Sequence, residues 1–248
     1  MSGDGEALPG GHIHHVTRVG ATVRRASTPR SAFVHELLAL FERRGWPGAP
    51  RFLGVDDEGR EILDYVPGRA ALTAAERRSA RTDDCLTQLA VLVRQFHDMT
   101  AGTALAAGHE VVCHNDLDPR NTVYALDTGV GTWHPTAFID WDLAAPGRRI
   151  DDVAHVCWQY LDLGPAVEDV RETSRRLRLL CDAYGLTDRA PLLDAVLDWQ
   201  DRCVRGIDAG ADRGDPAMLR LCERGVVTGI RAARAWVDAH RTALAASL

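Results

Sequence analysis

The 248-residue chain contains no lysine; all 29 of its basic residues are arginine. Biased coding composition is sufficient cause. The consequence is that every cationic role must fall to a guanidinium or stay vacant. No apolar run approaches the roughly 20 residues that a membrane span needs. The start, Met1-Ser2-Gly3-Asp4-Gly5-Glu6, has neither the basic opening nor the apolar stretch of a signal peptide, so a cytoplasmic location is expected. None of the six cysteines, at 85, 113, 157, 181, 203 and 222, forms a Cys-x-x-Cys pair, and they read as reduced, mostly buried thiols. The histidines at 12, 14 and 15 lack the cysteines or acids that would complete a ligand set, and read as a polar strand face. There is no excess of positive charge: the net charge of −6 argues against a nucleic-acid partner, which a basic patch normally serves, and is compatible with a cationic substrate. What is present, 46% hydrophobic and 26% charged residues, suits a globular protein with one large core or two lobes.

Residues 1–68 read as a small β-rich lobe. Ile13 to Val19 and Thr22 to Arg25 form strands about Gly20-Ala21. Ser31 is placed to cap a helix over Ala32–Arg44, in which Phe33, Val34, Leu37, Leu38, Leu40 and Phe41 recur at helical spacing. Two further strands, Pro50–Val55 and Arg60–Val66, flank Asp56-Asp57-Glu58-Gly59. Pro67-Gly68 is the natural break. Residues 69–248 form a larger, mainly helical lobe, with Thr73 capping one helix and Thr82 or Asp83 a longer one. Val111-Val112 is a short strand, and Thr122–Leu126 pairs with Thr136–Ile139. Breaks in the later helices are expected at Gly164-Pro165, Gly185, Gly210 and Gly214-Asp215-Pro216. The order defines an α+β plan of two lobes.

Chemistry concentrates in Cys113-His114-Asn115-Asp116-Leu117-Asp118-Pro119-Arg120-Asn121 and, one hairpin later, Phe138-Ile139-Asp140-Trp141-Asp142. A hydroxyl attacking phosphorus must lose its proton, and a fixed carboxylate such as Asp116 can orient it and accept that proton. Magnesium prefers hard oxygen ligands and keeps several waters, so the amide oxygen of Asn121 and the carboxylate of Asp140, with nucleotide phosphates, suffice to hold it. Read singly, each residue could be a turn-former. Their occurrence together at these separations favours phosphoryl transfer. Asp142 is open between a second metal and a cap. Trp141 and Trp158 read as core.

His-x-Asp-Leu-x-Pro-x-Asn followed by Ile-Asp-Trp-Asp resembles the aminoglycoside phosphotransferase branch of the kinase-like superfamily. The resemblance runs from Leu8 to about Val156 and implies a two-lobe protein-kinase-like fold. It implies Asp116 as catalytic base, and His114 and Asp152 as structural support of the catalytic loop. Asp118 faces either an acceptor amine or solvent. In the small lobe, Leu8-Pro9-Gly10-Gly11 resembles a glycine turn over the phosphates, where backbone amides can approach closely. The family's strand lysine becomes Arg24, with Arg25 the fallback, since alternation lets one of the two point inward. Glu36 is its expected helix partner, with His35 able to hold that place instead. Tyr65 and Val66 resemble the hinge that binds the nucleotide base. The implied activity is magnesium-dependent transfer of the γ-phosphoryl of ATP or GTP to a hydroxyl of a small molecule. The alternatives are a kinase-like binding module and a kinase-like enzyme acting on a peptide.

Overall fold

Alternating β-branched residues and a glycine at positive φ (Gly20, +62°) turn residues 17–26 into a hairpin, the seed of a five-stranded antiparallel sheet. In a computed structural model of the chain, which describes residues 6–7, 16–127, 129 and 131–248, its strands are β1 (Glu6–Ala7), β2 (Thr17–Val19), β3 (Thr22–Ala26), β4 (Phe52–Val55) and β5 (Arg60–Asp64). They lie in the order β1-β2-β3-β5-β4. Helix α1 (Ser31–Arg43) connects β3 to β4 and buries Val34, Leu37, Leu38, Leu40 and Phe41, the stripe that its spacing predicts. Ser31 does not cap it. Arg30 holds the N-cap position, and Ser31 is the first helical residue, its hydroxyl accepting the Thr28 N–H and bonding Glu61.

Gly68 is a packing requirement. Its φ is +146°, and a Cβ there would lie 2.4 Å from Val123 Cγ1 and 2.7 Å from the Tyr124 carbonyl. The close approach lets Arg69 and Tyr124 exchange backbone hydrogen bonds of 3.0 and 2.8 Å, which pins the connection onto the strand that holds Tyr124. Thr73 caps α2 (Ala74–Ser79) in a full capping box with Glu76, and Thr82 caps α3 (Asp83–Thr100). Between α3 and the next strand the chain makes a 3₁₀ turn, Ala104–Ala106. Strand β6 (Val111–Cys113) pairs with β9 (Ala145–Gly147), and β7 (Thr122–Asp127) with β8 (Thr132–Phe138), all antiparallel. Beneath the loops that these strands carry, Phe41, Trp46, Phe96, Phe138 and Trp141 pack with ring centroids 4.8–6.4 Å apart.

The chain divides into two compact units, 1–148 and 149–248, and the break expected at Pro67-Gly68 falls inside the first. The second unit is helical: α4 (Arg149–Leu161), α5 (Val170–Tyr184), α6 (Leu192–Asp212), α7 (Pro216–Glu223), α8 (Val226–Ala239) and α9 (Arg241–Ala245). Gly185 ends α5 in the left-handed region, φ +78°, as expected of a C-terminal glycine. Gly210 is not a break. It lies inside α6, where a Cβ would meet Met218 Cγ at 2.4 Å, so it is the contact at which α7 approaches. Among the described residues, no helix is long and apolar enough to cross a membrane.

Candidate active site

β6 ends at Cys113 and releases the chain into the loop His114–Asn121. Asn115 takes positive φ (+65°), a conformation that asparagine tolerates better than most residues, and its Nδ2 donates to the Leu143 carbonyl at 2.9 Å. His114 is buried. Its Nδ1 accepts the Asp116 N–H (3.2 Å), so Nε2 carries the proton and donates to the Ile139 carbonyl at 3.1 Å. The ring rests on Trp141, centroids 4.4 Å apart. His114 thus links the loop His114–Asn121, the segment before Asp140 and the aromatic core.

Asp116 is part-buried. Asn121 Nδ2 donates both to its Oδ2 at 2.7 Å and to its carbonyl at 3.0 Å. Burial, then the negative charges of Asp140 and Asp118, raise the Asp116 carboxyl to about 6, against the opposing pull of Arg120 and Asn121. A carboxylate so poised is ionised at neutral pH yet more basic than an exposed aspartate. With its amide nitrogen spent on Asp116, Oδ1 is the remaining polar atom of the Asn121 side chain. The Asn121 carbonyl accepts the Ile139 N–H (2.9 Å), which sets Asp140 beside the loop. Asp140 itself has φ +65° and a side chain 53% exposed. An amide oxygen and an exposed carboxylate fit a hard divalent cation that keeps part of its water shell.

Asp118 occupies neither expected position. It is 2% exposed, and Arg120 binds it through the backbone N–H (2.7 Å), Nε (2.8 Å) and Nη2 (3.3 Å). Burial pushes its carboxyl upward, but the hydrogen bonds and charge of Arg120 outweigh this and hold it below the usual range. It braces the loop from within.

The cation near Asp140 is Arg25. Its Nε lies 2.6 Å from Glu61 Oε2, its Nη2 2.8 Å from Asp142 Oδ1 and its Nη1 3.7 Å from Asp140 Oδ1. Arg24 points to the other face of β3, toward the Thr22 hydroxyl (2.7 Å) and Asp56 (3.7 Å). Glu36 is exposed on α1, and His35 faces the sheet in its place, its Nε2 2.8 Å from Glu61 Oε1. Asp142, left open above, pairs with Arg25. Tyr65 follows β5, its N–H bonded to the Ala21 carbonyl (2.9 Å) and its ring covered by the Arg18 guanidinium at 3.8 Å; Val66 beside it is part-buried. Gly10 and Gly11 lie outside the described residues. Asp152 is fully buried in α4 of the second unit. Sequence reasoning missed Glu61, Arg120 and Arg30, whose guanidinium donates to the Ala144 carbonyl. Opposite charges at facing positions of β3 and β5 could have signalled Glu61.

Residues 49–189, more than half of the chain, match the phosphotransferase enzyme family, and the chain belongs to that family. The trifolitoxin immunity protein of Rhizobium leguminosarum bv. trifolii is 30% identical over 205 residues, 73% of this chain and 74% of that protein. Among solved structures, the GDP complex of aminoglycoside 2'-phosphotransferase-IIIa superposes with a TM-score of 0.64 at 13% identity, over 96% of this chain and 93% of that one. A choline/ethanolamine kinase family protein from Mesorhizobium loti gives 0.61 at 16%, over 98% and 92%. These likenesses define the two-lobe kinase-like fold, with a sheet-rich N-terminal region and a helical C-terminal region.

Proposed function

We propose that the protein is a magnesium-dependent phosphotransferase that moves the γ-phosphoryl of ATP or GTP to a hydroxyl of a small molecule. One observation carries the reading: Asn121 gives its amide nitrogen to Asp116, which leaves its oxygen available to a cation and supports a base and a metal ligand built as one unit. Asp116 accepts the acceptor's hydroxyl proton as the new O–P bond forms, and Asn121 keeps its carboxylate aimed. Asn121 Oδ1 and Asp140 hold magnesium, which when bound neutralises charge on the phosphate oxygens. Arg25 supplies the guanidinium for the phosphates. His114, and Asp118 with Arg120, keep the loop in shape. Tyr65 and Val66 border the base, and Gly10 and Gly11 the phosphates.

The test pairs two substitutions. Asp116→Asn is expected to cut phosphoryl transfer about 10²- to 10⁴-fold while leaving nucleotide affinity nearly intact, because the base is lost and the phosphate contacts are not. Transfer at the parent rate would remove Asp116 from the role. Asp140→Ala is expected to weaken magnesium-dependent nucleotide binding, and unchanged affinity would remove it as a ligand. Nucleotide turnover against a panel of amines, sugars and peptides identifies the acceptor.

The immunity relative supports a second reading, in which the acceptor is a toxin, neutralised by phosphorylation or by binding alone. Magnesium-nucleotide separates the two modes. A catalyst is stabilised by it in a thermal-shift experiment, and a pure binding module is not.

A further inference from the structure

The guanidinium of Arg25 is held by three carboxylates, and none of them belongs to helix α1. Glu61 is fully buried on β5, directly across the ladder from Arg25. Asp142 and Asp140 come from the segment after β8. Helix α1 contributes donors instead. His35 Nε2 lies 2.8 Å from Glu61 Oε1, and the Ser31 hydroxyl bonds the same carboxylate. The His35 ring is itself fixed, stacked on Phe52 at 3.6 Å with 16° between planes. The acid that α1 does carry at this level, Glu36, is exposed.

We propose that Glu61 is the positioning residue for the phosphate-binding guanidinium of Arg25, a task that no acid of α1 performs. The inference rests on the phosphotransferase reading above. The geometry supports it in two ways. A carboxylate that takes Arg25 Nε at 2.6 Å fixes the guanidinium with its Nη groups turned to Asp140 and Asp142. Because Arg25 and Glu61 occupy one rung of an antiparallel ladder, the pair forms whenever the sheet forms. Displacing α1 would loosen the bonds of His35 and Ser31 to Glu61 without separating acid from guanidinium. The nucleotide side of the site is therefore assembled by the sheet.

The experiment titrates the full chain with Mg-ATP and Mg-GTP by calorimetry, for the parent, Glu61→Gln, Glu61→Asp and Glu36→Gln, and records the melting temperature of each without nucleotide. Glu61→Gln is expected to weaken nucleotide affinity about 10- to 100-fold, the range of a lost charge-assisted bond. Glu61→Asp, which keeps the charge but withdraws it by one methylene, is expected to lose about three- to tenfold, and carries the test alone if Glu61→Gln does not fold. Glu36→Gln is expected to match the parent. A lowered melting temperature in the Glu61 variants with unchanged affinity would make Glu61 a purely structural residue and overturn the proposal. So would a loss in Glu36→Gln equal to that in Glu61→Gln. If the parent binds neither nucleotide, the phosphotransferase reading fails and takes this inference with it. If the parent binds and the Glu61 variants bind equally, this inference alone fails.

Discussion

Arginine meets carboxylate in two settings in this molecule. In the first unit, Arg25 and Glu61 are buried in and beside the sheet, and Arg120 closes on an Asp118 withdrawn from solvent. In the second unit, the pairs lie along helix surfaces: Arg175 with Glu172, Arg231 with Asp208, Arg234 with Asp201. The chemical groups are the same and the energetics are not. A buried ion deprived of its partner is left uncompensated in a poor solvent, whereas an exposed one exchanges its partner for water. A lysine-free chain places guanidinium at every cationic position. Burial then decides where that guanidinium shapes a site and where it only decorates a helix.

The contrast can be tested by unfolding in denaturant. Glu61→Ala should cost the most, about 3–5 kcal/mol, because Arg25 keeps its charge and loses its closest acceptor. Arg120→Ala should follow at about 1–3 kcal/mol, since Asp118 stays buried with its main donor gone. Equal, small losses for both would erase the distinction. Acid should act in two opposite stages. Asp116 has a folded value raised to about 6, so its stabilising contribution is present below its ordinary value of 3.8 and is lost as pH rises through about 6. Glu61 is lowered below 4.5 because its bonds to Ser31 and Arg25 outweigh burial, so its contribution holds above 4.5 and is lost as pH falls through its folded value. Stability should therefore rise as pH drops from 7 toward 5 and collapse below about 4.5; in Asp116→Asn the rise should diminish and the collapse remain. A stability curve with no such rise in the parent would contradict the Asp116 environment. Arg234→Ala, on the exposed side of the comparison, should change stability by about 0–1 kcal/mol, less at high salt.

The parts of the site that sequence made legible are those whose residues are contiguous. Asp116 and Asn121 sit in one short loop, so their meeting travels with the motif, and Thr73 and Thr82 announced their helices because a cap is a local event. What stayed hidden depends on pairing. Arg24 and Arg25 are indistinguishable until β3 is set in register with β5, which turns Arg25 to Glu61. Glu36 was the acid to expect on α1, but the helix presents His35 to the sheet. Asp118 looked available because nothing in the motif says that Arg120, two residues on, folds back over it. Gly210 read as a break because its contact with Met218 is tertiary. The α+β two-lobe plan needed only element order, and it matches the fold that the solved structures share.

The arginine at the place of an amine changes what chemistry can be done to the protein. Reagents that acylate amines meet no side-chain amine anywhere along the chain, and the residue beside Asp140 is a guanidinium kept charged by Asp142 and Glu61 in spite of its burial. An activated ester would find no lysine to label beside Asp140. A probe meant to capture Arg25 covalently has to be built for a guanidinium, such as a dicarbonyl.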